Sequence, residues 1–440
     1  MALNFERGAP EVTLVDAPTL VALNVLLLAL LATGLVMVRR YRATAGAAVA
    51  IEPPPLPEVF ALHDTRRAAN GSPSNVSDTS KPKAAESAPA TPGPSRVTRP
   101  RRETGVTEVG VLGCGYWGSK HVRVLSQQAN VRVTAIDQDA SRLDDLRGSF
   151  PGLETTSSLD EVVDDLDGLV IATPARSHAD LAVRALEAGA HILVEKPLAT
   201  SVDDAERVLR TAEAAGRTVT VGHTFEFNPA VWALREAVHD NDFGKIHYID
   251  SARLNLGLYQ SDVNVLWDLA PHDISIVLYL LGELPTSVCT WASSHVPGQH
   301  EDVAYLQMRF DHIDVTANIH VSWLDPAKVR RTTVVGSRQM AVYNDMSNER
   351  LRIFDKGVHD LEGPMHSTPI TYREGDILSP YVDGREPLGL EIEAFIATIR
   401  GDDVARPDGR RGLEVVRVLE AAQQSIELGG RVDLRETVIA

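Results

Sequence analysis

Glu108-Val-Gly-Val-Leu-Gly113-Cys-Gly115-Tyr-Trp-Gly118-Ser-Lys-His-Val122 carries the pattern that decides the fold. Val109 to Leu112 is a short apolar run with the character of a buried strand. Gly113, Gly115 and Gly118 follow in the spacing G-x-G-x-x-G, and Tyr116 to Gln127 has the pattern of a helix. Strand, glycine turn and helix together describe a dinucleotide site. Gly113 permits the tight turn, Gly115 lets the backbone approach a pyrophosphate, and Gly118 lets the helix lie close to the strand. The phosphates then sit at the helix N-terminus, where free N–H groups and the positive end of the dipole point outward. Tyr116 and Trp117 open that helix and are grouped with the glycines as cofactor-binding residues.

Toward the C-terminus, strand and helix alternate. Val131 to Ile136 is a second strand ending at Asp137, where an acidic side chain can accept the two ribose hydroxyls. A carboxylate there repels a 2′-phosphate, and Gln138 brings no positive charge to hold one, so the expected cofactor is NAD. Gly168 to Ala172 is wholly apolar, as a parallel sheet covered on both faces demands, and it runs into Thr173-Pro174-Ala-Arg-Ser-His178. A helix from Ala179, a strand His191 to Val194 ending at Glu195-Lys196-Pro197, a helix from Ser201 and a strand from Thr218 complete this half. Ligands of such sheets bind beyond the strand C-termini. Asp137, Thr173, Pro174, His178, Glu195 and Lys196 all fall at that edge, and are expected at the cofactor.

The second half begins near Phe225. Pro229 to His239 is an amphipathic helix, and Ile246 to Leu254 has strand character. Asp268 and His272 enter a helical run to Leu281, and five closely spaced strands follow between Ser287 and Tyr343. Such spacing predicts a sheet of mainly antiparallel neighbours. Helices over 390–400 and 412–428 end the chain.

The N-terminal quarter is different. Residues 1–16 are polar and slightly acidic, and 17–38 are almost wholly apolar, about the length that crosses a bilayer as a helix. A cleaved signal peptide would have a basic start and a shorter apolar core. Arg39, Arg40 and Arg42 follow at once, so the positive-inside rule places the catalytic region in the cytoplasm of a single-pass cell-membrane protein. Residues 39–104, rich in Pro, Ala and Ser, read as a disordered linker. The expected organisation is therefore an N-terminal flank 1–16, a transmembrane helix 17–38, a linker 39–104, a Rossmann domain 105–224 and a C-terminal domain 225–440.

Composition narrows the partners. The 440 residues carry a formal charge of −17, which argues against nucleic acid, whose phosphates need a basic surface. The two cysteines, Cys114 and Cys289, have no metal-ligand spacing, so no metal site is expected. Both are read as small buried residues.

Four ordered motifs resemble the Gfo/Idh/MocA oxidoreductase family: Gly113 to Gly118, Ala172 to His178, Glu195-Lys-Pro197 and the Asp268-x-x-x-His272 spacing. Further stretches, among them Gly222-His-Thr-Phe225, Asn255-Leu-Gly257 and Val321-Ser-Trp-Leu-Asp-Pro326, are most similar to UDP-N-acetylglucosamine and related nucleotide-sugar 3-dehydrogenases. The resemblance implies an α/β chain: a doubly wound parallel Rossmann sheet plus a C-terminal α/β domain with an open, mostly antiparallel sheet. It further implies a homo-oligomer formed through the helix-free sheet face. Glu195-Lys196-Pro197 would border the nicotinamide, with a cis bond before the proline.

The implied activity is NAD-dependent oxidation of a secondary hydroxyl, at C3 of a UDP-N-acetyl sugar. An inositol or free-sugar dehydrogenase of the same family is the near alternative. A non-catalytic, membrane-tethered NAD sensor or scaffold is the distant one. Such oxidation needs a base for the hydroxyl proton, and His272 suits that on its ordinary pKa. Asp268, four residues earlier, can orient the imidazole or bind a sugar hydroxyl. Lys196 can donate to the reacting oxygen. The plainer readings are Asp268 as a helix N-cap and His272 inside a core hydrogen-bond network. Arg253 and Asn255, ending a second-domain strand, are either substrate contacts or solvated edge residues.

Overall fold

In the first half, apolar runs closed by turn residues pair into a sheet with helices on both faces. The computed structural model describes residues 105–434, apart from 258, 261–262, 298–299, 359–370 and 403–408. Its first elements are β1 (Thr107–Leu112), α1 (Tyr116–Leu125), β2 (Val131–Ile136), α2 (Ala140–Ser149) and β3 (Glu154–Thr156). Then come β4 (Gly168–Ile171), α3 (His178–Glu187), β5 (His191–Val194), α4 (Val202–Ala215) and β6 (Val219–Val221). The six strands are parallel in the order β3-β2-β1-β4-β5-β6. Local chemistry sets the helix ends: Asp139 accepts from Ser141 N to start α2, and Ser201 from Asp204 N to start α4. Gly216, at φ +61°, supplies the left-handed turn that ends α4.

The second half contains α5 (Pro229–His239), β7 (Ile246–Leu256), α6 (Val265–Leu281), β8 (Ser287–Ser293), β9 (Val303–Phe310) and β10 (Val315–Ser322). It continues with β11 (Leu324–Gly336), β12 (Met340–Asn344), β13 (Leu351–Val358), β14 (Tyr372–Leu378), α7 (Pro387–Arg400), α8 (Gly409–Leu428) and β15 (Val432–Asp433). Among the described residues its sheet has nine strands in the order β14-β13-β12-β11-β7-β10-β9-β8-β15. Every neighbouring pair is antiparallel except β7 and β10. Strands β13 and β14 lie beyond the expected set. Their alternation of apolar and polar residues is too weak to announce a half-buried strand.

The last two helices return to the first sheet. Leu388, Ile392, Phe395 and Ile396 of α7 pack with Val109, Val111 and Val122. Leu413 and Val416 of α8 join Ile192, Val194 and Val221, while its Val415, Val418 and Leu419 enter the core under the larger sheet. Helix α8 is thus buried from two sides and ties the two sheets together.

Two expectations are corrected. No helix among the described residues is long and apolar enough to cross a membrane. The most apolar long helix, α6, has 17 residues and lies in the core of the larger domain, short of the ~20 that span a bilayer. The expected transmembrane helix over 17–38 lies outside the described residues, as do the flank and linker. The single-pass reading and its cell-membrane localisation are therefore withdrawn. Cys289 is exposed on β8 rather than buried, whereas burial, chiefly, pushes the Cys114 thiol up to about 12.

Candidate active site

The ends of the parallel strands form one row. Register aligns Leu112 with Ile136 and with Ile171, Ile171 with Val194, and Val194 with Val221. The residues just past them, Gly113, Asp137, Ala172, Glu195 and Gly222, therefore share an edge. The strand order reverses between β1 and β4, the switch point where such sheets take ligands.

At that edge the glycine loop has the shape its spacing announced. Gly113 has φ +89°, and a Cβ there would lie 2.7 Å from the Ala172 carbonyl oxygen. A Cβ at Gly118 would run into the Gly113 carbonyl. At Gly115 the space is open, with only Arg142 Nη1 at 3.9 Å from the same position. Helix α1 has no side-chain cap and no acidic residue in its first turn, so its N-terminal N–H groups are available to a pyrophosphate. Tyr116 and Trp117 stand exposed at this mouth, their rings edge to face at 5.6 Å.

Asp137 is buried, and its carboxylate accepts from Cys114 N at 2.6 Å and Asp139 N at 2.8 Å. It thereby braces the glycine loop. Arg142 Nη1 lies 3.4 Å from it. Gln138 is therefore not the only neighbour that bears on the cofactor's charge: α2 brings this guanidinium back by one helical turn.

Thr173 Oγ1 meets Ser177 Oγ at 2.8 Å, and Pro174 beside it is exposed. His178 is buried, with Nδ1 2.8 Å from the Pro197 carbonyl and Nε2 2.8 Å from that of Thr173. It straps two strand-end loops together. A neutral imidazole carries one N–H, so it donates to one of these carbonyls at a time. Burial holds its pKa down against their pull.

Glu195 is buried, with His121 Nε2 of α1 2.8 Å from its Oε1. Burial raises its pKa, but the bond to His121 and the charges of His121 and Lys196 bring it below the ordinary value. The Lys196–Pro197 peptide is cis. The Lys196 side chain crosses to the second domain, where Nζ donates to the Asp268 carbonyl at 2.7 Å and to Asp268 Oδ1 at 3.3 Å.

Helix α6 presents Asp268 and His272 one turn apart, and its N-cap is Asn264, which accepts from Trp267 N. Asp268 is therefore not the cap. Nor does it orient the imidazole: its oxygens take Lys196 and the Trp323 indole, Nε1 to Oδ2 at 3.0 Å. His272 Nδ1 is buried without a hydrogen-bond partner among the described residues. The ring stands edge to face with Phe225 at 5.1 Å. Burial first, then the charges of Arg253, Lys196, His223 and Arg330, push its pKa well below 6.5. The ordinary imidazole value expected from sequence does not survive this environment, and the ring is neutral.

Arg253 is 5% exposed and Asp273 1%. They pair at 2.6 Å between Nε and Oδ2, with a longer contact of 3.4 Å. Ser251 Oγ donates to the same carboxylate at 2.7 Å, and the guanidinium lies 4.4 Å over the Phe225 ring. Arg253 is thus not a solvated edge residue, and its charge is already engaged. Asn255 is half-buried further along β7.

His223, Arg330, Trp323 and Glu391 have no role assigned from sequence. His223 is buried with both ring nitrogens unpartnered among the described residues, and burial, chiefly, lowers its pKa to about 3. Arg330 lies directly across from Arg253 on β11, 5.8 Å from Phe225. Glu391 of α7 is wholly buried and accepts from Thr224 Oγ1 at 2.8 Å; burial, then the charges of Glu195 and Glu226, push its pKa well up. No local pattern announced these residues. The quoted Gly222-His-Thr-Phe225 and Val321-Ser-Trp-Leu-Asp-Pro326 runs were the available signals, for His223 and Trp323.

Comparison with known proteins agrees with this geometry. Residues 107–223 match the Gfo/Idh/MocA profile described as "Oxidoreductase family, NAD-binding Rossmann fold", and residues 235–434 match its "C-terminal alpha/beta domain". The chain belongs to this family. It is an NAD-dependent dehydrogenase, which sets aside the non-catalytic sensor.

A UDP-N-acetylglucosamine 3-dehydrogenase of Acidithiobacillus ferrooxidans is 28% identical over 319 residues, covering 72% of this chain and 95% of that protein. An inositol 2-dehydrogenase of Rhizobium meliloti is 26% identical over 331 residues, covering 72% and 96%. The fold matches that of the WlbA dehydrogenase from Bordetella pertussis, solved with NADH and UDP-GlcNAcA, at a TM-score of 0.63. That match has 21% identity and covers 75% of this chain and 99% of that one.

Proposed function

We propose that this dehydrogenase oxidises a secondary hydroxyl of a sugar, at C3 of a UDP-linked N-acetyl sugar. The observation that carries the reading is the meeting of Lys196 with Asp268 one turn from His272, beside the row of strand ends. The names of the relatives support the substrate class: a UDP-N-acetylglucosamine 3-dehydrogenase is similar over nearly its whole length.

The cofactor fits the residues present. Gly113, Gly115 and Gly118 with the uncapped start of α1 hold the pyrophosphate. Tyr116, Trp117 and Thr173-Pro174 line its path. Asp137 holds the ribose, and His178 and Glu195 set the loops at the nicotinamide end. When bound, NAD supplies the acceptor for the hydride.

The chain's own groups handle the proton. An ammonium has three N–H donors. Lys196 uses two on Asp268, which leaves the third for the reacting oxygen. His272, kept neutral, has an unprotonated nitrogen to accept the hydroxyl proton. The cations that depress its pKa also stabilise negative charge developing on the alcohol oxygen. Arg253 braces Asp273 and Phe225, and the half-buried Asn255, two residues further along β7, is the candidate for a direct sugar contact.

The test is NADH formation by the full chain with UDP-N-acetylglucosamine, UDP-N-acetylglucosaminuronate and myo-inositol. Turnover confined to UDP sugars and abolished in Lys196→Met and His272→Ala supports the reading. Turnover of inositol alone favours the second reading, which the similarity to an inositol 2-dehydrogenase motivates. Normal turnover in both variants sinks the mechanism.

The same proposal includes a homo-oligomer. The outer face of β8–β9 exposes Trp291 and Tyr305, with Tyr305 stacked on His320 at 4.0 Å. Exposed aromatics of this kind suit a buried interface. Tyr305→Asp dissociates the assembly in sedimentation if this face carries it.

A further inference from the structure

Trp323 sits on none of the strand ends that frame the cofactor, yet its indole N–H reaches the carboxylate that holds Lys196. Nε1 donates to Asp268 Oδ2 at 3.0 Å, while Lys196 Nζ takes Oδ1 at 3.3 Å and the Asp268 carbonyl at 2.7 Å. An indole N–H donates and cannot accept, so it commits one carboxylate oxygen. The other oxygen is left for the ammonium.

The ring itself is immobilised from several sides. Trp323 is 1% exposed. Its backbone N donates to the Asp302 carbonyl at 2.9 Å, and its carbonyl accepts from Gly257 N at 2.9 Å. A Cβ at Gly257 would lie 2.8 Å from the indole Cδ1, so only glycine lets that loop close over the ring. Tyr259 packs on the indole at 5.1 Å and donates its hydroxyl to Asp302 Oδ2 at 3.0 Å. Asp302 is wholly buried and also accepts from His295 N at 2.7 Å and Val296 N at 3.2 Å. The indole is therefore a fixed donor held by the β10–β11 connection, the loop after β7 and the loop before β9.

We propose that Trp323 is a positioning residue: its indole N–H holds Asp268 so that Lys196 keeps one N–H directed at the reacting oxygen. The inference rests on the role proposed for Lys196. Without the indole N–H, Asp268 Oδ2 is free to turn onto Lys196. The ammonium then gives a third N–H to the carboxylate instead of to substrate. The effect falls on the rate of the chemical step and not on cofactor affinity, because the indole touches neither the glycine loop nor Asp137.

Trp323→Phe keeps an aromatic ring beside Tyr259 and removes the N–H donor together with part of the indole's bulk. With UDP-N-acetylglucosamine as the probe substrate, kcat falls about tenfold and the KM for NAD is unchanged. In an Asp268→Ala background the same substitution has no further effect, because the carboxylate it acts through is gone. Additive losses in that double-mutant cycle, or an unchanged kcat in Trp323→Phe, overturn the proposal.

A substrate-free readout keeps the two readings separable. In ¹⁵N-tryptophan spectra of the full chain, the Trp323 indole N–H resonance shifts in Asp268→Asn and in Lys196→Met. An unmoved resonance in Asp268→Asn overturns the positioning role even if the probe sugar is not turned over or Trp323→Phe does not fold. Lys196→Met with normal kcat overturns the function reading instead.

Discussion

Replacing Arg253 with methionine separates a substrate contact from a structural cation. The guanidinium and the Asp273 carboxylate are both buried, joined at 2.6 Å and 3.4 Å. Removing one partner of a buried pair leaves an uncompensated charge, at a cost of about 3–5 kcal/mol. Ser251 Oγ still donates to Asp273 in the variant, which holds the loss near the lower end. The contact over Phe225 at 4.4 Å disappears as well, adding a fraction of the ~0.5–2 kcal/mol such contacts contribute. A net loss of ~3 kcal/mol lowers the melting midpoint of a domain of this size by about 6–12 °C. Scanning calorimetry and urea midpoints of the full chain measure it. The double variant Arg253→Met/Asp273→Leu removes both charges and regains most of the loss. If Arg253→Met melts within about 2 °C of the parent while substrate KM rises sharply, Arg253 is a substrate contact and the burial argument is wrong.

Four further outcomes follow from the same geometry. Asp137→Ala weakens NAD about tenfold or more in a fluorescence titration and narrows the margin over NADP, because Arg142 at 3.4 Å is released toward a 2′-phosphate; an unchanged NAD/NADP ratio contradicts this. The imidazole of His272 is held neutral, so kcat/KM shows no acid limb near pH 6.5; an imidazole titration there by NMR that is absent from His272→Gln refutes the depressed pKa. His223, with its pKa lowered to about 3, binds a proton more readily unfolded than folded. Its contribution is complete above about 6.5 and is lost as pH falls through the window down to about 3, at up to ~1.4 kcal/mol per pH unit; His223→Phe flattens that slope in urea titrations. Glu391 has the opposite sign: its raised pKa means the fold retains a proton that the unfolded chain releases above about 4.5, so stability falls as pH rises from there. Glu391→Gln removes that decline, and a variant with the parent's pH slope contradicts it.

Much of the first domain was legible because its signals are local. An apolar run ending in Gly113-x-Gly115-x-x-Gly118 specifies strand, turn and helix within one short segment. The strands ending at Ile136, Ile171 and Val194 each announced themselves, and parallel pairing then set Asp137 and Glu195 in one row. The i, i+4 spacing likewise placed Asp268 and His272 on one helix face. What those two side chains bond to was not legible. Lys196 and Trp323 are 72 and 55 residues from Asp268 in the chain. A helical spacing says which residues point the same way, not what stands opposite.

By itself the sequence determined the order of elements, the glycine turn, the acidic residue that ends β2 and the presence of Lys196, Asp268 and His272 in their segments. These follow from periodicity and from the backbone needs of glycine, which act over a few residues. Only the tertiary structure decided that α7 and α8 return to the Rossmann sheet, that Arg253 is consumed by Asp273, and that the His272 ring is held neutral. The physical reason is the same in each case. Burial and charge are properties of a side chain's neighbours in space, and here those neighbours come from segments far apart in the chain.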